Sequence, residues 1–600
     1  MRRMFSFILA VVMIASFSMS VFAESEVIGA SGLFEPGIYQ AKAFGNNDFI
    51  HVEVETSDSA ILRAEVTDHQ ETKYISDVAL ERIPEQVVKH QTINVDSVTG
   101  ATVTSAALRM ALRDALEQAC NDMSKIQGAV PVPDKINEEK KYEYDIIIIG
   151  AGGAGLSAAV SAAENGSNSI AILEKMPSIG GNTVRSGGLY NCADPVRQPL
   201  QGIEDSPEKH FEQTLAGGDN VGDPELIRTM TYKGFDTLCW LENLGMEFLP
   251  EVSQATGALW PRSHQATEPA GVPFINSLYN TAKANGTELY LETTAKELIV
   301  EDGRVVGVIA TNLSGEKLTF FAKRGVINAA GGYGANVEMR VETNPSLDSR
   351  VPTTNHPGAT GDGILMATAI GAATVGMDYV QVHPLATPGS GALNGRARRV
   401  GGVDSIIVVN KQGMRFVNEG ERRDVLTAAI LGQTDGVVYE INDAQIVGEV
   451  NQWGENVETM IERGRVFKAD TLEELAEMLD IDGDGLIKTV KSFNDYVAKQ
   501  EDPDFGRILW DLPIEQAPFY GVKRSPSVHH TMGGLKINAY AQVLDTENSI
   551  IPGLFACGEV TGGIHGSNRL GGNAITDIMV FGRIAGQNAA RMFLVEKADK

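Results

Sequence analysis

Cysteine is scarce. Four occur in 600 residues, at Cys120, Cys192, Cys239 and Cys557, and no two form a CxxC pair. That spacing excludes zinc ribbons, thioredoxin-like exchange and c-type haem attachment. It gives no support to a disulfide framework either, so most of the four read as core thiols. Basic residues are also short: 50 Lys and Arg stand against 78 Asp and Glu, a net charge of −28. This balance argues against nucleic acid and against anionic membrane surfaces as partners. An anionic substrate would need a local basic pocket working against that field. Beyond the first 23 residues no run of 18 uninterrupted apolar residues occurs, so no stable membrane insertion is expected. A calcium loop is missing as well. DIDGDG (480–485) has the acidic spacing, but its twelfth position is Lys491 instead of a bidentate Glu, which leaves a polar turn before a helix.

What is present is a globular chain, 43% apolar and 21% charged, with length for three or four units. MRRMFSFILAVVMIASFSMSVFA (1–23) has the charged, apolar and small-residue parts of a secretory signal. The protein is therefore expected to be exported, to the periplasm or the cell exterior. Residues 30–124 form a first unit of short alternating strands and helices, and a Pro- and charge-rich linker covers 125–142. From Tyr144 the chain turns Gly- and Ala-rich with a β-α-β pattern.

YDIIIIGAGGAGLSAAVSAAENG reads as a buried strand, a glycine turn and a small-residue helix. Gly150, Gly152 and Gly155 carry the G-x-G-x-x-G spacing. The first allows the tight turn, the second lets amides approach a pyrophosphate, and the third lets helix pack on strand. A second strand, IAILEK, reaches Glu174, 19 residues beyond Gly155 and placed for a ribose hydroxyl. Further glycine-lined stretches follow at 177–188, 326–334 and 360–363 and in IPGLFACGEVTGGIHGSNRLGGNAITD. Together they make sense as one extended FAD surface. Its candidates are Gly150, Gly152, Ala154, Gly155, Glu174, Lys175, Asn182, Thr183, Ser186, Gly187, Gly188, Ala330, Gly331, Gly332, Asp362, Glu559, Asn573, Ala574 and Ile575.

With these elements, VQVHP, MRFVNEGERRD, VHHTMGG and IHGSNRLGGNAITD resemble the soluble fumarate reductase flavoprotein family, from about residue 140 to 600. That family includes urocanate reductase and related reductases of unsaturated carboxylates. The resemblance implies an α/β fold with a Rossmann-like FAD-binding domain (143–377 and 529–600) interrupted by an α+β clamp domain (378–528). Membrane-bound relatives attach FAD to a His in the first flavin loop. Residues 182–187 hold none, so FAD is expected to be non-covalent. By motif, Arg569 and His529 would bind the substrate carboxylate, Arg423 would donate the proton, and His383 would hold the far end. Arginine is a poor acid in water. The role therefore calls for a dry site in which two other cations, Arg569 and His529, lower the Arg423 pKa.

One segment departs from the family. Where fumarate-reducing members carry a Thr-Glu pair followed by an Arg, this chain reads HPLATPGSGALNGRARRVGGVDS, with Arg398 and Arg399 near that place and no matching Glu. Arg396, Arg398 and Arg399 are accordingly substrate-pocket candidates facing an anionic or aromatic tail. An acid of urocanate, acrylate or aryl acrylate type then fits better than fumarate.

DSVTGATVTS (96–105) places five hydroxyls before a helical run. It resembles the attachment motif of FMN-binding domains, which makes this first unit a small α+β FMN-binding domain. A flavin transferase would attach FMN through a phosphoester to Thr104. Electrons would arrive from a membrane or extracellular donor and pass through that FMN to FAD. Two other readings stay open: a flavin dehydrogenase running in the oxidative direction, and a non-catalytic two-flavin electron carrier.

Overall fold

The computed structural model describes residues 31–132, 135–136, 138–399, 401–508 and 511–598; the expected signal segment lies outside them. The N-terminal unit is an antiparallel meander, β1 (Gly37–Phe44), β2 (Phe49–Thr56) and β3 (Ile61–Asp68). Two helices cover it, α1 (Asp77–His90) and α2 (Thr102–Ala119). Ile50, Val52 and Val54 alternate along β2 and are buried, which is the period of two for a strand with one covered face. α2 answers with Leu108, Ala111, Leu112, Ala115 and Leu116, an apolar stripe at helical spacing. These side chains form a core of their own, separate from the main one.

The main sheet is built around β4 (Glu139–Ile149), which pairs in parallel with β5 (Ile170–Leu173) on one side and with Lys317–Asn328 on the other. Helix α3 (Gly153–Glu164) connects β4 to β5. Ile146 to Ile149 are buried throughout, as expected of a parallel strand covered on both faces. The C-terminal helix Asn573–Ala598 lies along α3. Gly582 and Gly586 make that approach possible: a Cβ at Gly582 would stand 2.7 Å from the Ala154 carbonyl.

Between residues 378 and 528 a second, antiparallel sheet has the order Val380–Ala386, Phe519–Thr531, Val438–Asp443, Ile407–Val409. The 13-residue strand Phe519–Thr531 starts in this clamp sheet and ends at Thr531, whose amide donates to Glu559 Oε1 at 3.1 Å. A single strand thus belongs to both units. The DIDGDG segment is a helix start, with Asp482 accepting from the Gly485 amide at 3.2 Å.

The N-terminal unit rests on both other units. Arg82 pairs with Glu292 at 2.7 Å on the main-sheet side. On the clamp side Arg463 Nη1 donates to the Gly45 carbonyl at 2.7 Å, and Thr459 Oγ1 to Asp48 at 2.9 Å. All four cysteines are free, Cys192 and Cys557 buried. Among the described residues no helix is long and apolar enough to cross a membrane.

Candidate active site

A continuous cavity runs from the glycine turn after β4 to the clamp sheet. At one end Gly150 adopts φ +103°, and a Cβ on Gly155 would press on the Gly150 carbonyl, so the start of α3 sits hard against the end of β4. Gly152 is bare, its would-be Cβ no nearer than 4.0 Å to any atom, and Gly331 has nothing within 4 Å. Gly152 caps α3 without a side-chain hydrogen bond of its own, and the Gly153 amide donates to Thr183 Oγ1 at 3.2 Å, so the amides after Gly153 at this helix start are the ones an anion could take. Glu174 is buried; its two oxygens accept from the Ala151 and Met176 amides at 2.8 and 2.9 Å, and burial pushes its pKa up. Bared backbone, a helix start and a buried acid fit an FAD.

Most of the FAD candidates line this cavity: Ala154, Lys175, Asn182, Thr183, Ser186, Gly187, Gly188, Ala330, Asp362, Glu559, Ala574 and Ile575 besides those above. Lys175 Nζ donates to Asp362 at 2.6 Å, and Asn182 Nδ2 to Glu559 at 3.2 Å. Three candidates do not line it. Gly155 packs helix on strand, and Gly332 backs Glu559, where a Cβ would stand 2.6 Å from Oε1. Asn573 is buried among Asn191, His210 and Thr214 and holds the following helix in place.

At the other end three elements of the clamp and one loop of the main-sheet unit converge. The strands Val380–Ala386 and Phe519–Thr531 pair with Gln381 opposite His530 and His383 opposite Ser527. Arg423 is the first residue of the helix Arg423–Leu431, and Arg569 lies in the loop before Asn573. The guanidiniums of Arg423 and Arg569 meet at one atom. Gln381 Oε1 accepts from Arg423 Nη1 at 2.8 Å and from Arg569 Nη2 at 3.0 Å. Gln381 is held in that orientation because its amide nitrogen donates to Asn568 Oδ1 and the Arg569 carbonyl. Arg423 Nε donates to the Thr256 carbonyl at 3.0 Å, and Gly257 makes room, since a Cβ there would lie 2.7 Å from Arg423 Cγ. The His383 and His529 rings stand edge to face at 5.0 Å, and His529 Nδ1 meets Thr354 Oγ1 at 2.7 Å.

The electrostatics correct one expectation. Arg423 is held well below its ordinary pKa, mainly by burial and then by Arg569 and Arg396. Its place at a helix N-terminus disfavours the cation further. Burial lowers Arg569 to about 10. His529 is not a cation. Burial, with Arg423 and Arg569 nearby, drives its pKa well below the usual histidine value, and His383 follows for the same reasons. The second cation near Arg423 is Arg396.

The three arginines after His383 part company. Arg396 is buried, lines the cavity and lies 5.9 Å from the Trp453 ring centroid. Arg398 does not line it. It is 1% exposed and pairs with Glu440 at 3.1 Å, and its Nη1 donates to the Gly402 carbonyl. Arg399 is exposed. Arg398 and Arg399 are therefore not placed to meet a substrate tail.

Gln381, Thr256, Gly257, Thr354 and Trp453 were absent from the sequence candidates. The signal for Gln381 was available, since residues two apart on a strand share a face and His383 had been singled out. Gln381→Glu would set a carboxylate between the two guanidiniums, in competition with an anionic substrate. KM for that substrate is expected to rise at least about tenfold while the FAD content stays unchanged.

A family model for an FAD binding domain matches residues 145–575, and one for an FMN-binding domain matches residues 45–117. The chain is 38% identical to urocanate reductase of Eggerthella lenta over 584 residues, covering 95% of each. It is 37% identical to the NADH:acrylate oxidoreductase of Vibrio harveyi over 622 residues, which is 93% of this chain and 61% of that longer protein. Among solved structures, the open conformation of a flavocytochrome c3 fumarate reductase matches with TM-score 0.59 and 36% identity, over 76% of this chain and 79% of that one. The chain belongs to the FAD-dependent fumarate and urocanate reductase flavoprotein family, with an FMN-binding domain ahead of its FAD-binding domain.

Proposed function

We propose that the chain reduces the C=C bond of an α,β-unsaturated carboxylate. The observation that carries this reading is the pair Arg423 and Arg569, buried and joined through Gln381 at the end of the cavity opposite the dinucleotide turn. When bound, FAD supplies the hydride to the β carbon. Arg569 presents a planar fork to the carboxylate, and His529, neutral, offers it a hydrogen bond. Charge that develops on the carboxylate is stabilised in this dry site. Arg423, strained as a cation by burial and by its neighbours, donates its proton to the α carbon. The acid missing after His383 is provided by another strand: Glu440 lies 3.6 Å from Arg396 Nε, and Arg396 lies close enough to Arg423 to depress it. We read Glu440, Arg396 and Arg423 as the route that returns the proton.

Stopped-flow oxidation of the dithionite-reduced protein by fumarate, urocanate, acrylate, methacrylate and cinnamate tests the reading. One acid of the panel is expected to reoxidise the flavin rapidly. Inertness to all five would favour an electron carrier. The reaction also has a pH signature. Both guanidiniums must be charged in the free enzyme, and kcat/KM reports the free enzyme. Its alkaline limb is expected at or below about pH 10, where Arg569 loses its proton, with activity retained below and lost above. A limb near pH 12 would remove these two residues from the reaction.

In the same reading the protein is exported, a flavin transferase loads FMN onto Thr104, and a membrane or extracellular donor feeds electrons through FMN to FAD. α2 begins with no side-chain cap and no acid in its first turn, which suits a phosphate. Thr104 itself is 2% exposed, and its hydroxyl is bonded to Glu71 Oε2 and to Ser76 Oγ. A phosphoester at this oxygen requires the Glu71 carboxylate to turn away.

A further inference from the structure

Arg185 is a half-buried cation in need of an anion. It rises from the loop at 182–187, lines the FAD cavity, and reaches across to the N-terminal unit, where its Nη2 donates to the Gly100 carbonyl at 2.6 Å. Its Nε is buried without a hydrogen-bond partner, and among the described residues no carboxylate pairs with it. A charge held partly out of water is unfavourable unless an opposite charge compensates it. His356 stands beside it on the same cavity wall. Its Nδ1 accepts from the Gly358 amide at 3.1 Å, which leaves the ring proton on Nε2. Nε2 is the atom turned toward Gly100, 3.0 Å from where a Cβ would be. Gly100 lies in the hydroxyl-rich loop that starts α2, and that helix start is uncapped. Two donors from the FAD-binding unit therefore face the loop at which the FMN reading places its cofactor.

We propose that the FMN site is composite, with Arg185 and His356 of the FAD-binding unit closing over residues 99–104 and binding the FMN held there. The N-terminal unit on its own lacks this cation and this donor. Arg185 then lies between the two flavin sites and favours the reduced, more negative form of FMN, because a nearby positive charge stabilises added electrons. His356 Nε2–H meets an acceptor edge of the same group. The proposal rests on the reading that the N-terminal unit carries FMN.

Spectroelectrochemical titration of the complete two-flavin protein tests it, with the FMN wave identified as the one lost in Thr104→Ala. Arg185→Met is expected to lower the FMN midpoint potential by roughly 30 mV or more, a tenfold change in preference between oxidised and reduced forms for a two-electron couple. Arg185→Lys should retain most of the wild-type value, and His356→Ala should shift it in the same direction as Arg185→Met. Arg82→Gln breaks a contact of the same two units at the Glu292 pair and should leave the potential unchanged. If Arg185→Met loses FAD or fails to fold, His356→Ala carries the test. An FMN wave at the wild-type potential in both Arg185→Met and His356→Ala would overturn the proposal, as would an equal shift in Arg82→Gln. If no wave is lost in Thr104→Ala and the wild-type chain holds no FMN, the cofactor reading and the proposal fall together.

Discussion

Arg423→Met protein is expected to take up electrons from dithionite as the wild type does and to bind the enoate with similar affinity, yet to turn over about 10²–10⁴-fold more slowly, the usual contribution of a positioned general acid. Its guanidinium is fixed by the Thr256 carbonyl and by Gln381 Oε1, so position and acidity are removed together. Methionine fills much of the same volume against Gly257 and limits collapse of the site. Single-turnover reoxidation of reduced flavin separates this loss from weaker binding, because a proton-transfer defect lowers the rate at saturating enoate. A rate within tenfold of wild type would remove Arg423 from the donor role. Arg423→Lys restores a cation but neither the geometry nor the shared contact with Gln381, so only a small recovery is expected.

Glu440→Gln is expected to lower the stability of the whole chain by about 3–5 kcal/mol, the cost of stranding one side of a buried charge network. Glu440 is 1% exposed and lies 3.1 Å from Arg398 Nε and 3.6 Å from Arg396 Nε. The three cations Arg398, Arg396 and Arg524 hold its carboxyl below the usual range even though burial pushes the other way. Set against a total stability of about 5–15 kcal/mol, this is a large fraction, and urea denaturation followed by flavin fluorescence would measure it. Adding Arg398→Met to Glu440→Gln removes one stranded cation and should recover part of the loss. A loss under about 1 kcal/mol would mean that another group balances the arginines. On the proposed route Glu440→Gln also slows the return of the proton to Arg423, so turnover and stability should both fall.

The dinucleotide end of the site was legible because its chemistry is local. Gly150, Gly152 and Gly155 serve a turn, a bared backbone and a close helix–strand approach within six residues, and each requirement leaves its mark on the residue itself. The clamp end was legible only through motifs. Arg396 and Arg398 are two apart in sequence, yet one faces the cavity and the other a glutamate 42 positions on. Nothing near Arg398 announces Glu440, because the pairing is made across a sheet. The charge of His529 was misread for a similar reason. A histidine packed against two buried arginines and largely withdrawn from water stays neutral, and that withdrawal is a property of the folded chain. Asn573 was assigned to the flavin from its motif, whereas its neighbours Ala574 and Ile575 line the cavity and its own amide braces Asn191 and His210.

The strand Phe519–Thr531 has a mechanical consequence. Its first residues are woven into the clamp sheet, and its last hydrogen-bonds to Glu559 beside the flavin loop. It is the beam on which both His529 and the clamp are mounted. If the clamp rocks to admit or release a molecule, the beam twists, and the His529 imidazole tilts with it. Under the proposed reading, gripping and opening are then opposite ends of one lever, and the acid leaves by the same rotation that uncovers it.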